Sequence, residues 1–413
     1  MKAAEVFHQA VGLLEDSVHQ GYFFASPAKV ANYQRLWSRD GVICGLAALS
    51  LKRKDLIEVF KNSLVALARA QGPQGQIPSN LEFAQDGSVR HVSLGTLAGR
   101  VDANTWFIIG VLQYLNQSPE CPEKDLLLKA SKSSFGLLQA WEYNGRGLIY
   151  TPEGGTWADD YLLEGYTFYD QLLRLWASRL IRRQEPEEAA LAWGLKGSEE
   201  QWVEWLRLNY WPAPETVTLS YHPLAQKTLL ADGAEPQHFL AALKPSGYTP
   251  QFDLFAHSLA LLLRVPESRQ LARILRFTKG VGRRGLPGAG QGALLPAFWP
   301  VIEENTENWN RLRHLAPLAF KNHPYEYHNG GLWPLLNGWW GVALAEQGEM
   351  ESAQEVLDSL TDLLASSEAG NQFPEYYNFK HLQALGTANC TWGAAAYIML
   401  FQRLNTGSVR LLL

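Results

Sequence analysis

The feature that most constrains this chain is a repeated contrast between neighbouring helical segments. "GGLWPLLNGWWGVALAEQG" (330–348) is apolar on nearly every face, and "EMESAQEVLDSLTDLLASS" follows at once, with polar and apolar residues spaced at three to four. A helix that is apolar all round must be enclosed, whereas one with an apolar stripe covers a neighbour. Val42–Leu51 followed by Lys54–Ala70 repeats the contrast. Helices are expected near 2–19, 40–52, 54–70, 102–117, 122–141, 164–183, 186–209, 251–264, 266–277, 306–320, 330–347, 350–367 and 389–404. About a dozen helices in hairpins close into an inner ring wrapped by an outer ring. The expected fold is therefore all-α, an (α/α)6 toroid of helical hairpins with long loops forming a cleft at one end. Residues 1–413 read as one such domain.

The loops argue for the cleft. Long connections are expected over 71–101, 141–163 and 278–305, with an irregular stretch near 210–250. Loops of that length inside a compact domain are usually functional. Most lead into the first turn of an inner helix, so they gather at one end of a toroid. Strand signals are sparse, the best being "ETVTLSYHP" (215–223) and "GRGLIYTP" (145–152), both expected as hairpin pieces.

Composition excludes several function classes. The chain is 46% apolar and 19% charged with a net charge of −5, so it has material for a large core and no basic block for nucleic acid. Glu5, Glu15 and Asp16 interrupt the first segment, and no run of roughly 18 apolar residues occurs, so neither a signal peptide nor a membrane span is expected. Cys44, Cys121 and Cys390 are odd in number and far apart, which excludes a disulfide framework and fits a cytoplasmic location. No CxxC or HExxH spacing is present, and His323 and His328 are not on helical metal spacing, so no metal or cofactor is expected. Aromatic residues make 12% of the chain, enough to fill a core and also line a cleft that takes the apolar face of a sugar.

Carboxylates recur where loops enter inner helices. "LWSRDG" (36–41) sets Asp40 and Arg39 beside Trp37, and "GRVDANTWF" (99–107) sets Asp102 near Trp106. Either Asp alone could simply cap its helix. "GQIPSN" (75–80) is a turn that could present Asn80. "GGTWADDYLLEGY" (154–166) holds Asp159 and Asp160 beside Trp157. Adjacent carboxylates next to a ring can be driven apart in pKa, leaving one protonated near neutrality as a general acid needs. Glu164 and Asp170 are expected to cap the following helix. "HPYEYHNGGLWP" (323–334) carries His328 and Trp333, and "NQFPEYYNF" (371–379) sets Glu375 among rings that include Tyr377. Cleavage of a glycosidic bond with inversion needs such a base about 6.5–9.5 Å from the acid, with water between them.

Taken in order, "WSRDG", "GRVDANTWF", "TWADD", "YHNGGLWP" and "FPEYY" resemble the motifs of (α/α)-barrel glycoside hydrolases, from about Leu36 to Leu400. The neutral/alkaline invertases and the amylo-α-1,6-glucosidase part of glycogen-debranching enzymes look nearest. The resemblance implies an inverting hydrolase with an Asp acid and a Glu base, acting on a small carbohydrate without metal. Carried over, the acid falls on Asp159 and the base on Glu375. Substrate-binding positions fall on Trp37, Arg39, Asp40, Asp102, Trp106, His328 and Trp333, joined by Trp157, Asp160 and Tyr377 from the residues around the acids. After "TWADD" the sequence "YLLEGYTFYDQ" lacks the basic and His-Pro residues of an invertase. Sucrose and a small α-glucan therefore both stand as substrates, Asp160 stands as the spare acid, and a homo-oligomer is open. The rival from another class is a sugar-binding pseudoenzyme on the same scaffold.

Overall fold

The computed structural model describes residues 2–142, 145–184, 187–231, 233, 235–285, 293–315, 319–367, 372–407 and 411. Among them the helices are α1 (Lys2–Asp16), α2 (Ser38–Leu51), α3 (Lys54–Arg69), α4 (Val101–Gln117), α5 (Lys124–Ala140), α6 (Phe168–Gln184), α7 (Glu187–Ala192), α8 (Glu199–Tyr210), α9 (Pro223–Leu230), α10 (Leu254–Leu262), α11 (Ser268–Gly285), α12 (Glu307–Leu315), α13 (Pro334–Glu346), α14 (Met350–Ala365) and α15 (Thr391–Thr406).

Six of these form the inner ring. Helices α2, α4, α6, α10, α13 and α15 pack each against the next, and α15 returns to α2. Their residues are buried almost throughout; in α10, Leu254–Leu262 are all enclosed. Helices α1, α3, α5, α8, α11 and α14 lie outside, joined to the inner ring mainly through α1–α15, α2–α3, α4–α5, α6–α8 and α13–α14 contacts. The helices of the ring approach closely because small residues face each other: a Cβ on Gly338 would lie 2.7 Å from that of Ala396.

Inner helices pass to outer ones by short turns, such as Lys52–Arg53 between α2 and α3. Outer helices return by long loops, so those loops collect where the inner helices begin. Buried backbone in these loops needs hydrogen-bond partners, and amide side chains on the inner helices supply them. Gln171 accepts from Ile149 N at 2.9 Å and donates to Ile149 O at 2.8 Å. Asn337 does the same for Leu295, at 2.8 and 3.0 Å, and Asn104 accepts from Ile77 N at 3.0 Å.

Several boundaries depart from the sequence reading. The helix expected over 186–209 is broken into α7 and α8, because Gly194 and Gly197 turn with φ of 72° and 71° and Ser198 starts a fresh helix with a capping box to Gln201. The strand expected over 215–223 is instead a 3-10 turn at Val217–Leu219 followed by α9, where Pro223 opens a helix. Over 145–152 only an isolated bridge from Thr151 to Gly165 forms. Conversely, Asn80–Phe83 pairs with Val89–Ser93 in a hairpin the sequence did not signal. The first part of the loop expected over 278–305 is helix, the end of α11; residues 286–292 lie outside the described residues. No described helix is long and apolar enough to cross a membrane.

Candidate active site

The loop before α6 carries the acidic pair. It is tied at its base by Gln171 and by paired backbone hydrogen bonds between Thr151 and Gly165, 2.7 and 2.8 Å. Farther along, Val101 N at the start of α4 donates to Gly155 O at 2.8 Å. Trp157 then turns inward, stacked on Phe298 at 5.4 Å, and its indole donates to Asp253 Oδ2 at 3.3 Å. That anchor leaves Asp159 and Asp160 at the edge of a cavity of about 420 Å³, lined also by Asn32, Trp37, Asn80 and Arg100.

The two carboxylates stand in different surroundings. Arg100 donates to Asp159 Oδ2 and, through its other nitrogen, to Gly154 O. Asp160 has no ion-pair partner among the described residues. Burial, and then the charge of Asp159, push its carboxyl up to about 6. Asp160 therefore titrates closer to neutrality than an ordinary carboxylate does. Asn322 holds this loop from across the cleft by donating to Asp160 O at 2.5 Å.

Glu375 approaches from the loop before α15 and is 3% exposed. Tyr33 donates its hydroxyl to Oε1, and Thr387 N donates to Oε2 at 3.1 Å. Gly386 has to be glycine: its φ is +76°, and a Cβ there would lie 2.4 Å from Glu375 Oε2. Burial raises the Glu375 carboxyl, while the Lys321 charge and the Tyr33 and Thr387 hydrogen bonds lower it; the Asp159 charge adds to the rise. Three carboxylates from two loops remote in sequence thus lie within electrostatic reach of one another.

Several other sequence candidates gather at the same end. Arg39 donates to Asp102 Oδ2 at 2.9 Å, lies 3.7 Å from Asp40 Oδ2 and faces the Trp392 ring at 5.1 Å. Asp40 is pushed up to about 6, chiefly by burial. Trp37 is half-buried at the cavity wall, its indole bonded to Asn32 O. His328 is buried between Trp157 and Trp333, ring centroids 5.2 and 5.5 Å away, and desolvation takes its pKa down to about 3. It is a neutral ring in an aromatic wall. His323 is exposed, and no metal-binding group of three side chains forms among the described residues.

Two candidates lie elsewhere. Trp106 is enclosed on the barrel axis against Trp176 and Trp339, bonded to Tyr169 Oη at 2.8 Å. Tyr377 turns away from the cavity, with its hydroxyl on Ser367 at 2.5 Å. Asn80 does line the cavity and accepts from Arg35 at 3.2 Å. Glu164 does not cap α6, which begins later at Phe168; it lies 3.9 Å from both Lys244 and Arg311. Asp170, in the first turn of α6, accepts from Thr167 and Thr151 at 2.5 and 2.9 Å.

Sequence reasoning missed Tyr33, Arg100, Lys321 and Asn322 as parts of this site. Arg100 stood inside the quoted "GRVDANTWF" and carried the same Arg–Asp signal as Arg39 and Asp40. Tyr33 had no such flag, since its loop has no motif of its own.

The fold and the loop-built cleft are those of the (α/α)-barrel glycosidases, and the chain is a glycoside hydrolase. Residues 257–406 match the alkaline and neutral invertase family. Over 98% of its length the chain is 22% identical to neutral/alkaline invertase 3, chloroplastic, of Oryza sativa subsp. japonica, covering 74% of that protein. A shorter match, 31% identical over 108 residues, reaches alkaline/neutral invertase E, chloroplastic, of Arabidopsis thaliana, and spans 25% of this chain and 16% of that one. Among solved structures, a GH63 mannosylglycerate hydrolase from Thermus thermophilus superposes with a TM-score of 0.61 at 13% identity, over 95% of this chain and 99% of that one. A bacterial glucoamylase complexed with acarbose gives 0.60 at 16% identity, over 97% and 55%.

Proposed function

We propose that the protein hydrolyses a small α-linked glucoside with inversion, the Asp159–Asp160 pair supplying the proton and Glu375 activating water. The observation that carries this reading is that the pair at the cavity and the enclosed Glu375, from loops remote in sequence, lie within electrostatic reach of one another. Asp160 titrates closer to neutrality than a free carboxylate, which favours a proton at the pair, and Asp159 is read as the donor by its motif. Arg100 is bonded to Asp159 Oδ2, so donation from that oxygen requires the contact to loosen when substrate enters. Glu375 is held by two donors in a fixed orientation, which suits a base that must aim one lone pair at water. Protonation of the glycosidic oxygen breaks its bond to the anomeric carbon as water attacks from the opposite face, giving its proton to Glu375. Trp37, Arg39, Asp40 and Asp102 serve sugar hydroxyls and the ring face. The toroid is read as the catalytic unit.

The substrate is read as sucrose or a short α-glucan, since the invertase relatives support the first and the departures after "TWADD" favour the second. The test is reducing-sugar release without added metal from sucrose, maltose, isomaltose and a short branched glucan, with Asp159→Asn as the blank. The first-formed anomer is followed by NMR. Glucose and fructose from sucrose establish an invertase, and release only from glucans establishes a glucosidase. Retention at the anomeric carbon overturns the inverting mechanism. Binding of a sugar with no turnover of any member leaves the pseudoenzyme.

A further inference from the structure

We infer that Lys321 is a positioning residue for the hydrolytic reaction: its ammonium, held on the Tyr327 ring beside the acidic loop and the Glu375 segment, sets the pH window of the reaction, keeping Glu375 ionised as a base must be while limiting protonation of the acidic pair. This rests on the roles given above to Glu375 and the Asp159–Asp160 pair.

The geometry is specific. Lys321 lies in the loop between α12 and α13 and is half-buried, its ammonium 4.9 Å from the centre of the Tyr327 ring. Its neighbour Asn322 grips the acidic loop through Asp160 O. Asn322 is itself fixed from below, because Asn329 N donates to its Oδ1 and Asn329 Nδ2 to its backbone oxygen, both at 3.2 Å. On the other side, Tyr327 packs on Tyr376 at 5.4 Å, next in sequence to Glu375. One short clasp thus sets the lysine's neighbour on the acidic loop and its ring partner on the residue next to Glu375.

Its lack of a partner is equally telling. Among the described residues no carboxylate comes within 4.0 Å of Lys321. The other cations near the cleft are spoken for: Arg35 by Glu82 at 2.6 Å, Arg39 by Asp102 and Arg100 by Asp159. The Tyr327 ring beneath Lys321 is neutral, so the charge of the ammonium is left without a counter-charge in contact. It acts at a distance on whatever negative charge develops nearby. The groups facing Glu375 are Tyr33 and Thr387 N by hydrogen bond, and Asp159, Asp160, Asp40, Cys390, Tyr327 and Tyr376 through their charge or potential charge. Lys321 opposes protonation of Glu375 more than any other group does, and it is the first to oppose that of Asp160.

Removing the cation should raise the proton affinity of both faces together. The experiment compares Lys321→Met and Lys321→Arg with the parent protein. Infrared difference titration of the Glu375 carboxylate, identified by its loss in Glu375→Gln, needs no substrate. The pH dependence of kcat/KM is measured on the best glycoside. For Lys321→Met the Glu375 midpoint should rise by about 1 pH unit, and both limbs of the rate profile should move to higher pH. Lys321→Arg should restore the parent positions. An unmoved infrared midpoint overturns the inference, as does a uniform rise in KM with neither limb displaced, which would make Lys321 a plain substrate contact. If instead Glu375→Gln keeps full hydrolysis, the reading of Glu375 as base fails, while the infrared result still judges the lysine.

Discussion

The two faces of the cleft hold their carboxylates by opposite means. On the acidic loop, one of two adjacent carboxylates, Asp159, takes the Arg100 guanidinium, and it keeps 29% of its side chain exposed. On the other face a single carboxylate is enclosed, and neutral donors, the Tyr33 hydroxyl and the Thr387 amide, hold both its oxygens. A proton donor benefits from a neighbour that can exchange charge with it. A base benefits from having one geometry. The acidic face thus relies on charge, whereas the basic face adds a fixed geometry to the charge of Lys321.

The largest effect should come from removing either function outright. Glu375→Gln and Asp159→Asn should each lower kcat by at least about 10²-fold, measured on the substrate found above. Asp160→Asn should cost less, and should move the alkaline limb of the rate profile to lower pH, because the carboxyl that burial raises to about 6 is gone from the pair. If Asp160→Asn is the more damaging change, Asp160 is the donor and the two residues exchange roles.

Tyr33→Phe tests the basic face. A hydrogen bond to a charged group stabilises it by about 1.5–3 kcal/mol. Its loss should reduce activity at the optimum by roughly tenfold and move the acid limb upward, since Glu375 loses a donor that favours its ionised form. A profile that drops without moving would mean that Tyr33 contacts substrate rather than tuning the base.

The smallest effect on activity belongs to a carboxylate behind the cleft. Burial pushes Asp170 up to about 8, far above an unfolded value of about 4. Because the folded state holds this proton more tightly, the stability it contributes is full below about pH 4 and is lost as pH rises to about 8. Asp170→Asn fixes the neutral form. Its thermal midpoint should therefore gain on that of the parent protein between these two pH values and no further above them, with near-normal turnover. A constant offset across that range would place the Asp170 proton elsewhere.

The helical ring was legible because its signal is local. Apolar residues around the whole of α13, followed by the striped α14, declare inner and outer positions wherever those helices end up. The acids were legible as members of motifs: Asp159, Asp160 and Glu375 each stand beside rings in short, quotable stretches. Their partners were not. Tyr33 and Glu375 are brought together by the closure of α15 onto α2, and no spacing in the chain encodes that contact. Nor could spacing distinguish Trp37, which borders the cavity, from Trp106, which fills the barrel axis, since both lie near the start of an inner helix beside an Asp.

By itself, then, the sequence determined the alternation of enclosed and covering helices, the end of the toroid at which the loops gather, and the set of carboxylates available there. These follow from residue types and their periodicity, which act over a few turns of chain. The tertiary structure alone decided that Arg100 engages Asp159 and leaves Asp160 without an ion pair, that Tyr33 and Gly386 fix Glu375, and that Lys321 stands over the Tyr327 ring beside the acidic loop. Those outcomes depend on burial and on charge across a cleft, quantities that exist only once distant segments share the same few ångströms of space.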